Sequence, residues 1–94
     1  MIATIQIGNS DDKLTQKEWS DFVSEVDAVF KTDVLAIDCY FFATSEGAKP
    51  WQNACWVVSI KETDVDLLIK RLVKVRKMYR QDSVAIVLGD VRMI

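Results

Sequence analysis

Residues Asp33–Ala43 read DVLAIDCYFFA, and whether they form a helix or a strand decides the fold. The stretch is rich in β-branched and aromatic residues, which suit a pleated, half-buried surface, and it is too short for a helix carrying so many of them. Read as a strand, its side chains alternate between two faces. Leu35, Ile37, Cys39 and Phe41 share one face, and Ala36, Asp38, Tyr40 and Phe42 share the other. Asp38 chooses between them. An unpaired carboxylate is costly to bury beneath helices, so the face with Asp38 is expected on the open side of a sheet.

Working outward, TSEGAKPWQ (Thr44–Gln52) reads as a connection, with Gly47 and Pro50 as punctuation. NACWVVSI (Asn53–Ile60) is the next strand. Ala54, Trp56, Val58 and Ile60 share its core side, leaving Asn53, Cys55, Val57 and Ser59 on the open side. Trp51 ends the connection, where its flat ring is available to a partner, whereas the alternation puts Trp56 in the core. Gln52 and Asn53 are expected to satisfy local backbone groups.

Helical periodicity appears on both sides of this pair. Upstream, TQKEWSDFVSEVDAVFK places Trp19, Phe22, Val23, Val26, Val29 and Phe30 on one stripe. Thr15 followed by Glu18 fits a capping box, in which each side chain satisfies a free backbone N–H. Glu18, Asp21, Glu25 and Asp27 lie off the stripe. Downstream, TDVDLLIKRLVKVRKMYRQ buries Leu68, Leu72, Val75 and Tyr79, with Val65 and Ile69 beside them. Thr63 is the expected cap, and acids in the first turn complement the helix dipole. Lys70, Arg71, Lys74, Lys77 and Arg80 fall mostly outside that stripe.

The two ends are strands. IATIQI (Ile2–Ile7) alternates, with Ala3, Ile5 and Ile7 on one side and Thr4 and Gln6 on the other. SVAIVLG (Ser83–Gly89) turns Val84, Ile86 and Leu88 inward, and DVRMI is a possible extension of it. The order is strand, helix, strand, strand, helix, strand. It predicts one domain over residues 1–94 with an α+β, ferredoxin-like βαββαβ architecture: a four-stranded antiparallel sheet with both helices on one face. Right-handed crossovers put the first and third strands at the centre. This architecture carries many unrelated functions, so function must be argued from surfaces.

Composition narrows the chemistry. The chain has 94 residues, half of them hydrophobic and 28% charged, with no histidine. The commonest general base and metal ligand at neutral pH is therefore missing. Cys39 and Cys55 lack zinc-type spacing and have no cationic neighbour in sequence to activate a thiolate. The predicted strands put them on opposite faces, which argues against a disulfide between them. GNSDDK (Gly8–Lys13) has a single glycine and acidic neighbours, which does not make a phosphate cradle, and it lacks the calcium-loop ligand pattern. Asp38 is the one conceivable base, and a lone aspartate among aromatics is more often a rim residue. These points argue against an enzyme and imply no cofactor.

The partner classes narrow as well. No apolar run approaches transmembrane length, and the N-terminus has no basic start or cleavage site, so a cytoplasmic protein is expected. RNA-recognition domains share this element order but carry a basic residue, glycine and aromatics on the third strand. NACWVVSI matches none of that, and the net charge is −2, so nucleic acid is not the expected partner. Charge is unevenly distributed. Residues 1–50 hold four Lys/Arg against nine Asp/Glu, and residues 51–94 hold eight against five. The two helices should therefore neutralise one another across their seam, or the basic one, through Lys70, Lys74, Lys77 and Arg80, should meet an acidic partner.

The open sheet face is the main candidate surface. Asp38, Tyr40, Phe42, Cys55 and Val57, with Trp51 at the edge, make it too apolar to stand bare in water. A non-catalytic interaction protein is expected, acting as a homodimer or as an inhibitor or accessory subunit. The alternative is a small-molecule binder or enzyme of the dimeric α+β barrel type, with its ligand site on that face.

Overall fold

In the computed structural model, which describes residues 1–9, 11–32, 35, 37–45 and 52–94, the element order is βαββαβ. Strand β1 (Ile2–Gly8) alternates as its sequence implies, with Ala3, Ile5 and Ile7 buried. Helix α1 (Gln16–Val29) follows, then β2 (Asp38–Thr44), β3 (Asn53–Ser59), α2 (Val65–Met78) and β4 (Ala85–Gly89). The sheet order is β2-β3-β1-β4, and every neighbouring pair is antiparallel. The first and third strands are central, as the crossover rule requires. Both helices pack on one face, where Trp19, Phe22, Val26, Leu68, Leu72 and Val75 join the inward residues of the central strands in one core.

Local signals account for α1. The Thr15 hydroxyl accepts from the Glu18 N–H at 3.1 Å, and the Glu18 carboxylate accepts from the Thr15 N–H at 3.1 Å. The capping box is thus complete. Leu14, just before the cap, and Trp19, in the second turn, are both buried, the arrangement of a hydrophobic staple. The start of α2 differs from expectation. A short 3-10 turn over Glu62–Asp64 precedes it, and Asp64 rather than Thr63 occupies the cap position, without a side-chain cap bond.

Two polar devices tie distant segments together. Asn9, which is 2% exposed, donates from Nδ2 to the Leu14 carbonyl and to Gln52 Oε1, and its Oδ1 accepts the Leu14 N–H. Gln52 in turn donates to Gln16 Oε1 at 2.8 Å. This chain locks the β1–α1 loop and the first turn of α1 to the start of β3. Gln52 therefore serves a long-range network beyond its local backbone. Gly8 lies beside it, paired with Asn53, and a β-carbon there would come within 2.9 Å of Asn53 Oδ1.

The second device is the indole of Trp56, which is fully buried and donates to Asp27 Oδ1 at 3.1 Å. Asp27 also pairs with Lys31 at 2.6 Å. Asp27→Ala removes the acceptor of a buried N–H and is expected to destabilise the fold by about 1–3 kcal/mol. Asp27→Asn loses the same charge but keeps an acceptor oxygen, so it should lose less. Urea midpoints of the two variants compare them directly. Equal losses would assign the effect to something other than the Trp56 bond.

The edges are less regular than the centre. In β2, Asp38 pairs with Ser59 and Cys39 with Val58, but Phe41 then pairs with Val57 and Phe42 with Trp56. The register shift lies between Cys39 and Phe41, leaving Tyr40 as the extra residue of a β-bulge. At the other edge, Ile86 is half-buried and Leu88 is exposed, although Leu88 lies opposite buried Ala3. The helices do not cover that end of β4. Residues 90–94 do not extend the strand.

Candidate functional site

The sheet face turned away from the helices is built in cross-strand rows. Val87, Thr4, Val57 and Phe41 form one row, and Ala85, Gln6, Cys55 and Ala43 the next. Asp38, Ser59, Ile2 and Gly89 lie at one end. No described element covers these rows. Phe41 is 54% exposed and Val87 63% exposed, and Cys55 and Val57 are half-buried. No lysine or arginine occupies any of these positions.

Asp38, Cys55 and Val57 thus stand where the alternation placed them. Tyr40 is exposed at the bulge. Phe42 is a correction. It was expected beside Tyr40 on the open face, but it lies opposite Trp56 on the helix side, with ring centroids 5.0 Å apart. The bulge is the cause. One extra residue reverses the alternation, so Phe41 takes the open position and Phe42 joins the border of the core. Phe42 remains 45% exposed because β2 is an edge strand beyond full helix cover. Trp51 and Ala36 lie outside the described residues. Sequence periodicity missed Phe41. Its only local signal is the run Tyr40-Phe41-Phe42, three aromatics that cannot all obey a period of two.

A shallow depression of about 320 Å³ lies at the end of the face nearest the β2–β3 connection, bordered by Gln6, Ala43, Ser45, Asn53 and Cys55. Asp38 and Tyr40 do not line it. Among the described residues no group of three or more His, Cys, Asp or Glu side chains could hold a metal ion. Cys39 and Cys55 are both free; they occupy opposite faces, Cys39 opposite Val58 and Cys55 opposite Gln6. Among the described residues no helix is long and apolar enough to cross a membrane.

The basic helix divides into two parts. Arg80 follows α2 in the left-handed region, with φ 55°, where glycine is the usual residue. Its guanidinium binds Glu18 Oε2 at 2.6 Å, inside the capping box of α1. Arg80 is therefore a bridge across the helix seam. Lys70, Lys74 and Lys77 are exposed and make no ion pair among the described residues.

The Arg80 guanidinium, followed by the Thr15 N–H, holds the Glu18 carboxyl below its ordinary range. A carboxylate depressed in the folded state adds stability above its unfolded pKa, and that stability is lost as pH falls through the folded value. The stability gap between wild type and Glu18→Gln is therefore expected to be full near neutrality. It should begin to close at about pH 4–5 and vanish below the depressed value. Denaturant melts of both proteins from pH 7 to pH 2 measure it. A gap that widens in acid would remove Arg80 as its cause.

No protein-family model matches the sequence, and no curated protein matches it. Among solved structures, one described as "De novo designed protein Foldit4" superposes with a TM-score of 0.56. The match covers 97% of this chain and 97% of that one, at 11% sequence identity. At that identity the likeness concerns the fold alone: this chain has the βαββαβ, ferredoxin-like arrangement of α+β proteins.

Proposed function

We propose that the protein is a non-catalytic interaction module that pairs with a second copy of itself through the open sheet face. The observation that carries this reading is the row Phe41–Val57–Thr4–Val87, apolar at three of its four positions and uncovered by any described element. Large exposed apolar patches on small domains usually serve an interface. A standard interface removes roughly 600–1,000 Å² per partner, which one face of a four-stranded sheet can supply. A two-fold axis makes one patch serve both sides, so no second kind of surface is required. The β2 edge is a poorer pairing surface, because a bulge disrupts the hydrogen-bond ladder that strand addition needs.

The small-molecule alternative finds less support. It needs Asp38 and Tyr40 to converge on a cavity, and the depression on this face is bordered by neither. In this reading the protein works in the cytoplasm, where free thiols such as Cys39 and Cys55 persist. Sedimentation equilibrium at micromolar concentration tests the proposal. The expected species has twice the 10.7 kDa mass of the chain. A monomer throughout the concentration range would end it.

A further inference from the structure

A second surface lies on the opposite side of the molecule, between the helices. They run antiparallel. Near one end Phe22 of α1 stacks on Tyr79 with ring centroids 5.1 Å apart, and Glu18 meets Arg80. Beside this contact the seam opens into a groove of about 640 Å³ that runs along α2 from Leu67 to Met78. Ala28 and Val29 of α1, with Leu67, Val75 and Met78 of α2, give it an apolar lining. Leu67 and Met78 are 37% and 55% exposed.

The charge of the groove is one-sided. Lys70, Arg71 and Lys74 line it, against the single carboxylate of Glu25. The other acids of α1 are engaged elsewhere: Asp21 by Lys17, Asp27 by Lys31 and Glu18 by Arg80. Neutralisation across the seam therefore reaches Arg80 but not the groove. Arg71 makes no ion pair among the described residues, and its Nε is buried without a hydrogen-bond acceptor there. A buried donor without an acceptor is costly.

We propose that this groove seats an acidic amphipathic helix of a partner protein. Its apolar side chains would lie along Leu67, Val29 and Met78, and its carboxylates against Lys70, Arg71 and Lys74. The shape selects a helix. Leu67 to Met78 spans about 16 Å at 1.5 Å per residue, three turns of a helix packed along the seam. Strand addition needs a free sheet edge, and none borders this groove. A nucleic-acid backbone would satisfy the cations but leave the apolar lining unused. The inference does not rest on the sheet-face dimer, which uses the opposite face and leaves the groove open.

The test uses the full chain, isotopically labelled, titrated with a blocked Leu/Glu peptide whose leucines recur at i, i+3, i+4 and i+7. Amide shifts are expected to move at Ala28, Leu67, Lys74 and Met78 and to stay fixed along Phe41, Val57 and Val87. Lys70→Glu together with Lys74→Glu should weaken binding at least about tenfold. Added salt should weaken the wild-type complex, because the cations are exposed. A Leu/Lys peptide of the same pattern should not bind. Each of four results would overturn the proposal: no shifts in the groove, equal binding of the Leu/Lys peptide, equal binding of polyglutamate without leucines, or tighter binding of oligothymidylate at the same residues. The wild-type salt dependence and the peptide controls decide the matter even if the double variant folds poorly.

Discussion

Trp56→Ala is expected to destabilise the fold by about 3–5 kcal/mol, the usual cost of truncating a large buried aromatic. Trp56 lies in the central strand β3 with no exposed surface. Its ring packs near Phe30 at 5.8 Å and Phe42 at 5.0 Å between centroids, and its indole N–H is bonded to Asp27. Alanine would open a cavity bordered by β1, β2 and α1 together and would leave Asp27 without its buried donor. Domains of this size are stable by about 0.05–0.15 kcal/mol per residue, so the loss is a large fraction of the total. Chemical denaturation of both proteins measures the loss. A variant with an unchanged midpoint would remove Trp56 from the role of keystone. Trp56→Phe keeps most of the volume and loses the indole N–H, so it should fall between the two.

Phe41→Glu combined with Val57→Lys is expected to give a folded monomer and to raise the dimer dissociation constant at least about a hundredfold. Apolar residues at the centre of an interface commonly carry 2 kcal/mol or more each, and 1.4 kcal/mol is a factor of ten. The two positions are cross-strand partners on the open face. Within one chain the introduced carboxylate and ammonium would stand opposite each other as a favourable pair, which protects the fold. Across a face-to-face dimer they would be desolvated in place of an apolar row. Sedimentation equilibrium of the variant, with a circular-dichroism melt to check folding, reads both effects. A variant that still dimerises would place the interface elsewhere, for instance along the free edge of β4. The same result would leave the proposal for the helix groove untouched.

The elements were legible in the sequence wherever their determinants are local. Thr15 and Glu18 are three residues apart, and their capping box formed as their spacing implies. The stripe Trp19, Phe22, Val26 and the alternation Ala54, Trp56, Val58 each report one face of one element, because side-chain period is a property of the local backbone. From those faces and the crossover rule the order β2-β3-β1-β4 follows. The open face is therefore legible in outline in the sequence.

Tertiary structure alone decided what depends on partners far along the chain. The β2 register is one case. A period of two puts Phe42 beside Asp38, but the bulge at Tyr40 reverses the alternation and sets Phe42 opposite Trp56 on the helix side. The break in the ladder lies at an edge strand, where solvent can satisfy the freed backbone groups. The Asn9–Gln52 bond joins residues 43 apart, and the Arg80–Glu18 bond joins residues 62 apart. No local pattern announces such pairs, since polar groups choose partners by proximity in the folded chain. The same selection divided the basic helix, giving Arg80 to the seam and leaving Lys70 and Lys74 facing the groove.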